Sequence, residues 1–391
     1  MLKTVVIGAG AAGCFCAIEL KRRRPDMEVT VYESGPKPLA KVAVTGGGRC
    51  NLTNSFAGIS RLAEAYPRGE QVMKRALRTF SHQDTMEWFE REGVALLTQE
   101  DECVFPVSQD AMQIVRTLER LMRELGVKVI CNRRVARISE LDADFVVVTA
   151  GGSGKAALET LLPDDVSITN TVPSLFTFKI ADESLRSLMG TVAENVGLCL
   201  AGTAFRSHGT LLVTDWGVSG PATLKLSSYA ARHLADNGYR ATLLVNWLDS
   251  TESEVRRILA SSISGNGKKF ISNAHPEGMT DRLWQHLLQR SGIRSDLRWQ
   301  ELGNKGVNKL VNTLTADGYQ IVGRARFKEE FVTCGGVDLS GIDLNTLESK
   351  THPGLFFAGE VLDIDAITGG FNLQAAWSTG YTVARTIASE K

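Results

Sequence analysis

The apolar pattern opens with a short β-branched run, Thr4 to Ile7, that suits a strand buried on both faces. Ala11 to Arg22 follows as a helix, and Val29 to Glu33, VTVYE, as a second strand. Met73 to Glu92 carries Leu77, Phe80, Met86 and Phe89 at helical spacing, which predicts one amphipathic helix ended by Gly93. Val94 to Leu97 then reads as a strand, Val104 to Pro106 as an extended piece, and Ala111 to Leu125 as a helix closed by Gly126. Val127 to Cys131 and Asp144 to Ala150 read as further strands. The second of these, DFVVVTAGG with its glycines, has the continuous apolar character of a buried parallel strand opening on a ligand crevice.

From Pro173 to about Arg326 the pattern changes. Phe176 to Ile180, Thr191 to Leu200, Gly209 to Thr214 and Leu243 to Trp247 predict short antiparallel strands, and residues 251–315 are mostly helical. Trp284, Leu287 and Leu288 belong to a core, and His275 and His286 read as structural or exposed. The strand–helix grammar then returns. Phe331 to Gly336 is extended, Gly354 to Glu360 reads as a strand ending in an acid, and a glycine pair opens a helix from Phe371 to Ser389. Chain ends commonly meet in a domain that carries an insertion. The expected organisation is therefore a first domain in two parts, 1–172 and 327–391, interrupted by an inserted unit, 173–326, whose helical part is about 251–315.

Composition narrows the function classes. Lys plus Arg equals Asp plus Glu at 44 each, so no overall positive field attracts nucleic acid. Seven scattered cysteines, with no CxxC pair, support neither a zinc site nor a dithiol centre and fit reduced thiols in the cytosol. Glu19 interrupts what would be the apolar part of a secretion signal, and no later segment is apolar for long enough to span a bilayer. The expectation is a soluble cytoplasmic protein with a small-molecule substrate and with neither a nucleic-acid nor a membrane partner. Its oligomeric state is open, with a monomer compatible.

The candidate chemistry lies in glycine-rich turns. Gly8-x-Gly10-x-x-Gly13 sits between the first strand and the first helix. Gly8 permits the turn, Gly10 lets a pyrophosphate approach, and Gly13 lets helix and strand pack closely. The phosphates would lie on the free amides of the first helical turn, which includes Ala11 and Ala12. Glu33 ends the second strand about 20 residues after Gly13, where a carboxylate meets ribose hydroxyls, as in FAD or NAD. KVAVTGGGRCNLTN, from Lys41 to Asn54, offers Gly46, Gly47 and Gly48 as backbone to lie against a ligand, with Lys41 or Arg49 near phosphate. Cys50 within it reads as a small buried side chain. Gly369-Gly370 would let a ligand approach the amides that open the last helix, with Asn372 fixing the loop or the ring. Gly151 to Lys155 looks like a phosphate loop but fails, since Thr149 and Ala156 stand where Gly and Ser or Thr are required.

VVIGAGAAG, VTGGGRCNLTN and GLFFAGEVLDIDAITGGFNLQAAWSTG together resemble the HI0933-like family of bacterial FAD-dependent flavoproteins, which includes BaiN-like and aminoacetone-oxidase-like members. TLLVTDWGVSGPATLKLS and VTCGGVDLSGIDLNTLESK are similar to further blocks of that family. Two departures stand out. The segment after Gly151-Gly152 is shorter than is usual there, and Glu102-Cys103 replaces a Gly-Arg before Val-Phe-Pro. The resemblance implies an α/β fold with a Rossmann-like FAD-binding domain interrupted by an inserted β-rich domain that carries a small helical bundle.

The resemblance also implies a set of cofactor contacts. These are Gly8, Gly10, Ala11, Ala12, Gly13, Glu33, Lys41, Gly46, Gly47, Gly48, Arg49, Cys50, Asn51 and Val135 in the first part of the chain. Ala150, Gly151, Gly359, Glu360, Asp363, Gly370, Phe371, Asn372 and Leu373 complete it. The activity implied is an FAD-dependent oxidoreductase that oxidises an amine or reduces an unsaturated compound. NADH or NADPH would visit as a transient donor, because only one dinucleotide fingerprint is complete. No residue stands out as catalytic acid or base. The alternatives are a non-catalytic flavin-binding or sensor protein and a flavin-dependent RNA-modifying enzyme.

Overall fold

A computed structural model of the chain describes residues 1–325 and 332–390. They divide into two compact units, residues 1–172 with 332–391 and residues 173–331. The sequence-based boundary at 326/327 and the strand start at Phe331 lie outside the described residues.

The first unit is built on a five-stranded sheet in which every pairing is parallel. Its order is Leu355–Phe357, Phe145–Val148, Lys3–Ile7, Glu28–Tyr32, Lys128–Ile130. These runs are Val- and Phe-rich because a parallel sheet is covered on both faces. Their register is in step, so Ile130, Tyr32, Ile7, Val148 and Phe357 stand side by side at one edge. Each strand therefore delivers its next residues to the same rim: Cys131, Glu33, Gly8, Thr149 and Ala358.

The helices Ala11–Arg23 and Phe371–Ser389 pack on each other so closely that a Cβ on Gly380 would lie 2.8 Å from the Ala12 carbonyl oxygen. Phe15 anchors the contact, its ring 5.4 Å from Trp377 and 4.8 Å from Trp88. One sequence expectation fails here. Residues 73–92 form two helices, Glu70–Thr79 and His82–Arg91, because Phe80 is extended and Ser81 caps the second helix reciprocally with Asp84. The 354–360 segment likewise stops as a strand at Phe357 and turns at Gly359–Val361.

The second unit closes six antiparallel strands into a barrel, Val192–Leu200, Arg206–Val213, Gly217–Ser219, Phe178–Ile180, Asp317–Arg324 and Ala241–Asn246. Phe178, Leu198, Leu211, Val218, Leu243, Val245 and Tyr319 belong to its buried core. Between its last two strands in sequence stand the helices Glu252–Asn266, Asp281–Ser291 and Gly303–Ala316, around Trp284 stacked on Trp299 at 6.1 Å. Trp284, Leu287 and Leu288 are core, as the apolar pattern indicates. His286 is buried against the Tyr319 hydroxyl at 3.1 Å, and His275 meets Asp281 at 3.1 Å. No helix among the described residues is long and apolar enough to cross a membrane.

Candidate cofactor site

The rim of the parallel sheet brings together residues that are hundreds of positions apart. The three glycines of the first turn do three different things there. A Cβ on Gly8 would fall 2.4 Å from the Thr149 carbonyl oxygen, and one on Gly13 would fall 2.1 Å from the Gly8 carbonyl oxygen. A Cβ on Gly10 would meet no atom within 4 Å. Gly8 and Gly13 are thus glycine for the protein's own packing, whereas the bare face of Gly10 looks into open space. Gly10 is also the N-cap of the first helix, with no side-chain cap and no acid in the first turn. Three properties therefore coincide: uncapped amides of Ala11, Ala12 and Gly13, a positive helix end, and room for a group as large as a phosphate.

Glu33 is held beside this turn. One carboxylate oxygen accepts from the Ala9 amide at 2.9 Å and the other from the Gly35 amide at 2.6 Å. The Ser34 hydroxyl donates to it as well, at 3.3 Å; a carboxylate has about four acceptor positions, so capacity remains for a ribose hydroxyl. Asn132 and Arg133 donate their amides to the Gly35 and Glu33 carbonyls at 2.8 and 2.9 Å, which brings the chain leading to half-buried Val135 alongside. The Thr149 hydroxyl, which sequence reasoning passed over, donates to the Gly8 carbonyl at 2.8 Å and fixes the turn.

The triple-glycine stretch adopts left-handed backbone, with φ of 57° at Gly46 and 69° at Gly47, a conformation that L side chains resist. Gly47 and Gly48 face open space. Of the two cations offered to a phosphate, Arg49 donates to the Gly46 carbonyl at 3.2 Å and stacks over Phe105 at 4.5 Å. Lys41 instead faces Glu360 at 3.4 Å. Burial pushes the Cys50 thiol up to about 12, so it stays protonated and is no nucleophile at neutral pH.

Glu360 accepts from the Thr333 amide at 2.8 Å, and its other carboxylate oxygen lies 3.7 Å from where a Cβ on Gly151 would stand. Ala150 and Gly151 thus share a rim with Gly359, Glu360 and half-buried Asp363, whose amide donates to the Val337 carbonyl at 3.0 Å.

The long C-terminal helix is mounted by a buried polar chain. Thr53 donates to Gln374 at 2.6 Å, Gln374 to Ser378 at 2.9 Å, and Ser378 to the Phe80 carbonyl at 2.7 Å. Trp377 donates to the Leu52 carbonyl at 3.0 Å, and Tyr66 to the Phe371 carbonyl at 2.8 Å, with burial raising the Tyr66 phenol far above its usual range. Asn51, with its amide turned to satisfy both neighbours, donates to the Thr53 carbonyl at 3.0 Å and accepts from the Gly370 amide at 3.2 Å. Asn372 accepts from the Ala366 amide at 3.0 Å and returns a bond to the Ala366 carbonyl at 3.1 Å, so it fixes the loop. Phe371 is buried and Leu373 half-buried.

One expectation needs revision. A Cβ on Gly370 would fall 2.2 Å from the Thr53 carbonyl oxygen, so glycine is required there by the protein's own backbone rather than by a ligand's approach. The helix still opens without a side-chain cap. Thr53, Asn54, Tyr66 and Gln374 were the positions missed. Asn54, which donates to the Gly369 carbonyl at 3.0 Å, and Thr53 both lie inside the stretch singled out by its glycines.

The HI0933-like protein Rossmann domain matches residues 2–386. The chain belongs to the HI0933-like family. It is accordingly an enzyme of the FAD-dependent oxidoreductase class, with the Rossmann-like domain and β-rich insertion expected of it. Ribosomal RNA dihydrouridine synthases are similar along their whole length. The Haemophilus influenzae protein is 28% identical over 414 residues, covering 99% of each chain. The Escherichia coli protein is 27% identical over 410 residues, covering 99% of this chain and 98% of its own. The 3-dehydro-bile acid delta(4,6)-reductase of Clostridium scindens is 26% identical over 410 residues, covering 98% of both.

Proposed function

We propose that this chain is an FAD-dependent reductase of a carbon–carbon double bond conjugated to a carbonyl, and that its substrate is the uracil ring in RNA. The observation that carries the reading is that full-length relatives named for a uridine and for a bile acid share one chemistry, saturation of a ring double bond polarised by a carbonyl. Two of the three are named for RNA, which favours uracil. The balanced charge of the whole chain argues against a global field, not against a local contact face. None of the three is named for amine oxidation.

FAD, when bound, supplies a hydride for the electron-poor carbon after taking one from NADH or NADPH, and a proton completes the neighbouring carbon. The chain's own residues hold and orient. In this reading the Gly10 face and the amides of Ala11 to Gly13 receive the pyrophosphate, and Glu33 accepts from the ribose. Gly47 and Gly48 leave backbone bare for the flat ring. The uncapped opening of the Phe371–Ser389 helix favours the electron-rich pyrimidine end of a reduced flavin, by about 0.3–1 kcal/mol and up to roughly 2 when partly buried. The thiols remain reduced in a cytoplasmic enzyme.

A second reading, a free small enone as substrate, is favoured by the bile-acid reductase relative. One experiment separates the two. The flavin is reduced anaerobically with NADH or NADPH and challenged with a uridine-containing transcript or with a steroid enone. Reoxidation by the transcript, with a nucleoside heavier by two hydrogens, is the result expected. Reoxidation by the enone alone selects the second reading, and reoxidation by neither refutes both.

A further inference from the structure

Charge neutrality over the whole chain hides a local asymmetry. Residues 251–316, the helical part of the second unit, hold ten Lys and Arg against six Asp and Glu. At one edge of this part, two short segments are laid side by side. Phe270 and Arg298 form an antiparallel bridge, the Trp299 amide donates to the Lys269 carbonyl at 3.2 Å, and the Ile271 amide donates to the Leu297 carbonyl at 2.8 Å. The edge is anchored from beneath, since the Trp284 and Trp299 indoles donate to the Ile271 and Ala274 carbonyls at 2.7 and 3.1 Å.

What this hydrogen-bonded edge shows to solvent is unusual. Phe270 is 42% exposed, and the Arg298 guanidinium lies over its ring at 5.5 Å while donating to the Lys268 carbonyl at 3.1 Å. Lys268 and Lys269, the two residues before Phe270, are exposed, and among the described residues neither they nor Arg298 has an acidic side-chain partner within ion-pair distance. Neither of the nearest acids in sequence bonds a cationic side chain of the edge. Glu301 accepts from the Arg298 amide at 3.0 Å, and Asp296 pairs with Arg294 at 3.1 Å. Three cations without a side-chain ion pair and a flat aromatic–guanidinium pair thus lie together at this edge.

We propose that this edge, Lys268 to Phe270 with Arg298, is an RNA-docking face. The assignment rests on the RNA reading given above. Phosphates are neutralised by the lysines, and an unstacked base extends the Arg298–Phe270 stack, which is how proteins hold single-stranded or looped RNA. An acidic protein segment would use the cations and leave the exposed ring without a partner, so RNA is the occupant the surface fits.

The test uses the full-length, FAD-loaded protein and a fluorescein-labelled, mixed-sequence RNA 20-mer, titrated by anisotropy at several salt concentrations. K268Q/K269Q/R298Q is expected to weaken binding tenfold or more. It should also flatten the dependence of log K on log salt by about 1.4, since each of the two lysine–phosphate contacts contributes about 0.7. F270A is expected to weaken binding by roughly fivefold or more, with F270Y restoring it. Flavin content and melting temperature report that the variants are folded. Wild-type affinity and salt slope in the triple variant, or no RNA binding by the wild type, would overturn the assignment. So would displacement of the RNA by polyglutamate at matched charge, which would assign the face to an acidic protein. Whether a reduced flavin is reoxidised by a uridine transcript is measured separately, so failure of the face and failure of the substrate reading are distinguishable.

Discussion

The contrast between Gly10 and Gly13 gives the sharpest test of the cofactor site. Alanine at Gly10 places a methyl where no protein atom lies within 4 Å, on backbone at φ −83° and ψ −168° that alanine adopts freely. Replacing a glycine N-cap by alanine costs up to about 1 kcal/mol, and the stiffer unfolded chain returns about 0.4–1 kcal/mol. The apo protein should therefore melt within about 3 °C of wild type. The same methyl occupies the path of a pyrophosphate to the helix amides. Loss of one or two amide bonds to charged oxygens, about 1.5–3 kcal/mol each, would raise the FAD Kd roughly tenfold to twenty-thousandfold. Gly13→Ala should do the opposite. Its Cβ falls 2.1 Å from the Gly8 carbonyl oxygen, so the first strand and helix must separate, at about 1–3 kcal/mol or more of apo stability. The assay is FAD titration by flavin fluorescence beside differential scanning fluorimetry of the apo forms. A Gly10→Ala protein that binds FAD within threefold of wild type would refute the reasoning, as would a large loss of its apo stability.

Three further outcomes follow from the same geometry. Glu33→Gln should lower FAD affinity by about 1–3 kcal/mol, because the amide replaces a charged acceptor at the ribose and cannot take both backbone donors; an unchanged Kd would remove Glu33 from the site. Cys50, its thiol raised to about 12 by burial, should resist iodoacetamide in the native protein at pH 8 and react only as pH climbs toward 12 or the protein unfolds; peptide mapping that finds it alkylated natively at pH 8 would contradict this. Gln374→Ala should cost about 1–3 kcal/mol, read in urea unfolding, because the buried Thr53 hydroxyl loses its acceptor; a change under 0.5 kcal/mol, roughly the size of an ordinary surface substitution, would show that this chain of bonds is replaceable.

Local grammar made much of the first unit legible. A β-branched run, a glycine turn and a helix are encoded within the first twenty or so residues, and the observed Lys3–Ile7 and Ala11–Arg23 lie within a residue or so of that reading. Phe371–Ser389 is equally local, opened by a glycine pair and holding Phe371, Trp377, Val383 and Ile387 on its buried side. The break at Ser81 was also readable, since Ser81-His82-Gln83-Asp84 has the capping-box spacing, but the apolar periodicity across it dominated. Other features depend on partners far away in sequence. The reason for glycine at 370 is the Thr53 carbonyl, and no pattern around 370 can announce it. Closure of the barrel likewise requires Asp317–Arg324 to pair with Phe178–Ile180, across more than a hundred residues that include the helical part. The roles of Lys41 and Arg49 were open for the same reason, as Glu360 and Phe105 are distant in sequence.

The central claim is that this rim holds FAD, as a whole dinucleotide and without a covalent link. The most direct measurement is to precipitate the purified yellow protein with acid and to identify and count the flavin released. The account predicts about one FAD per chain in the supernatant. Recovery of FMN alone, or of flavin that stays on a peptide, would contradict it.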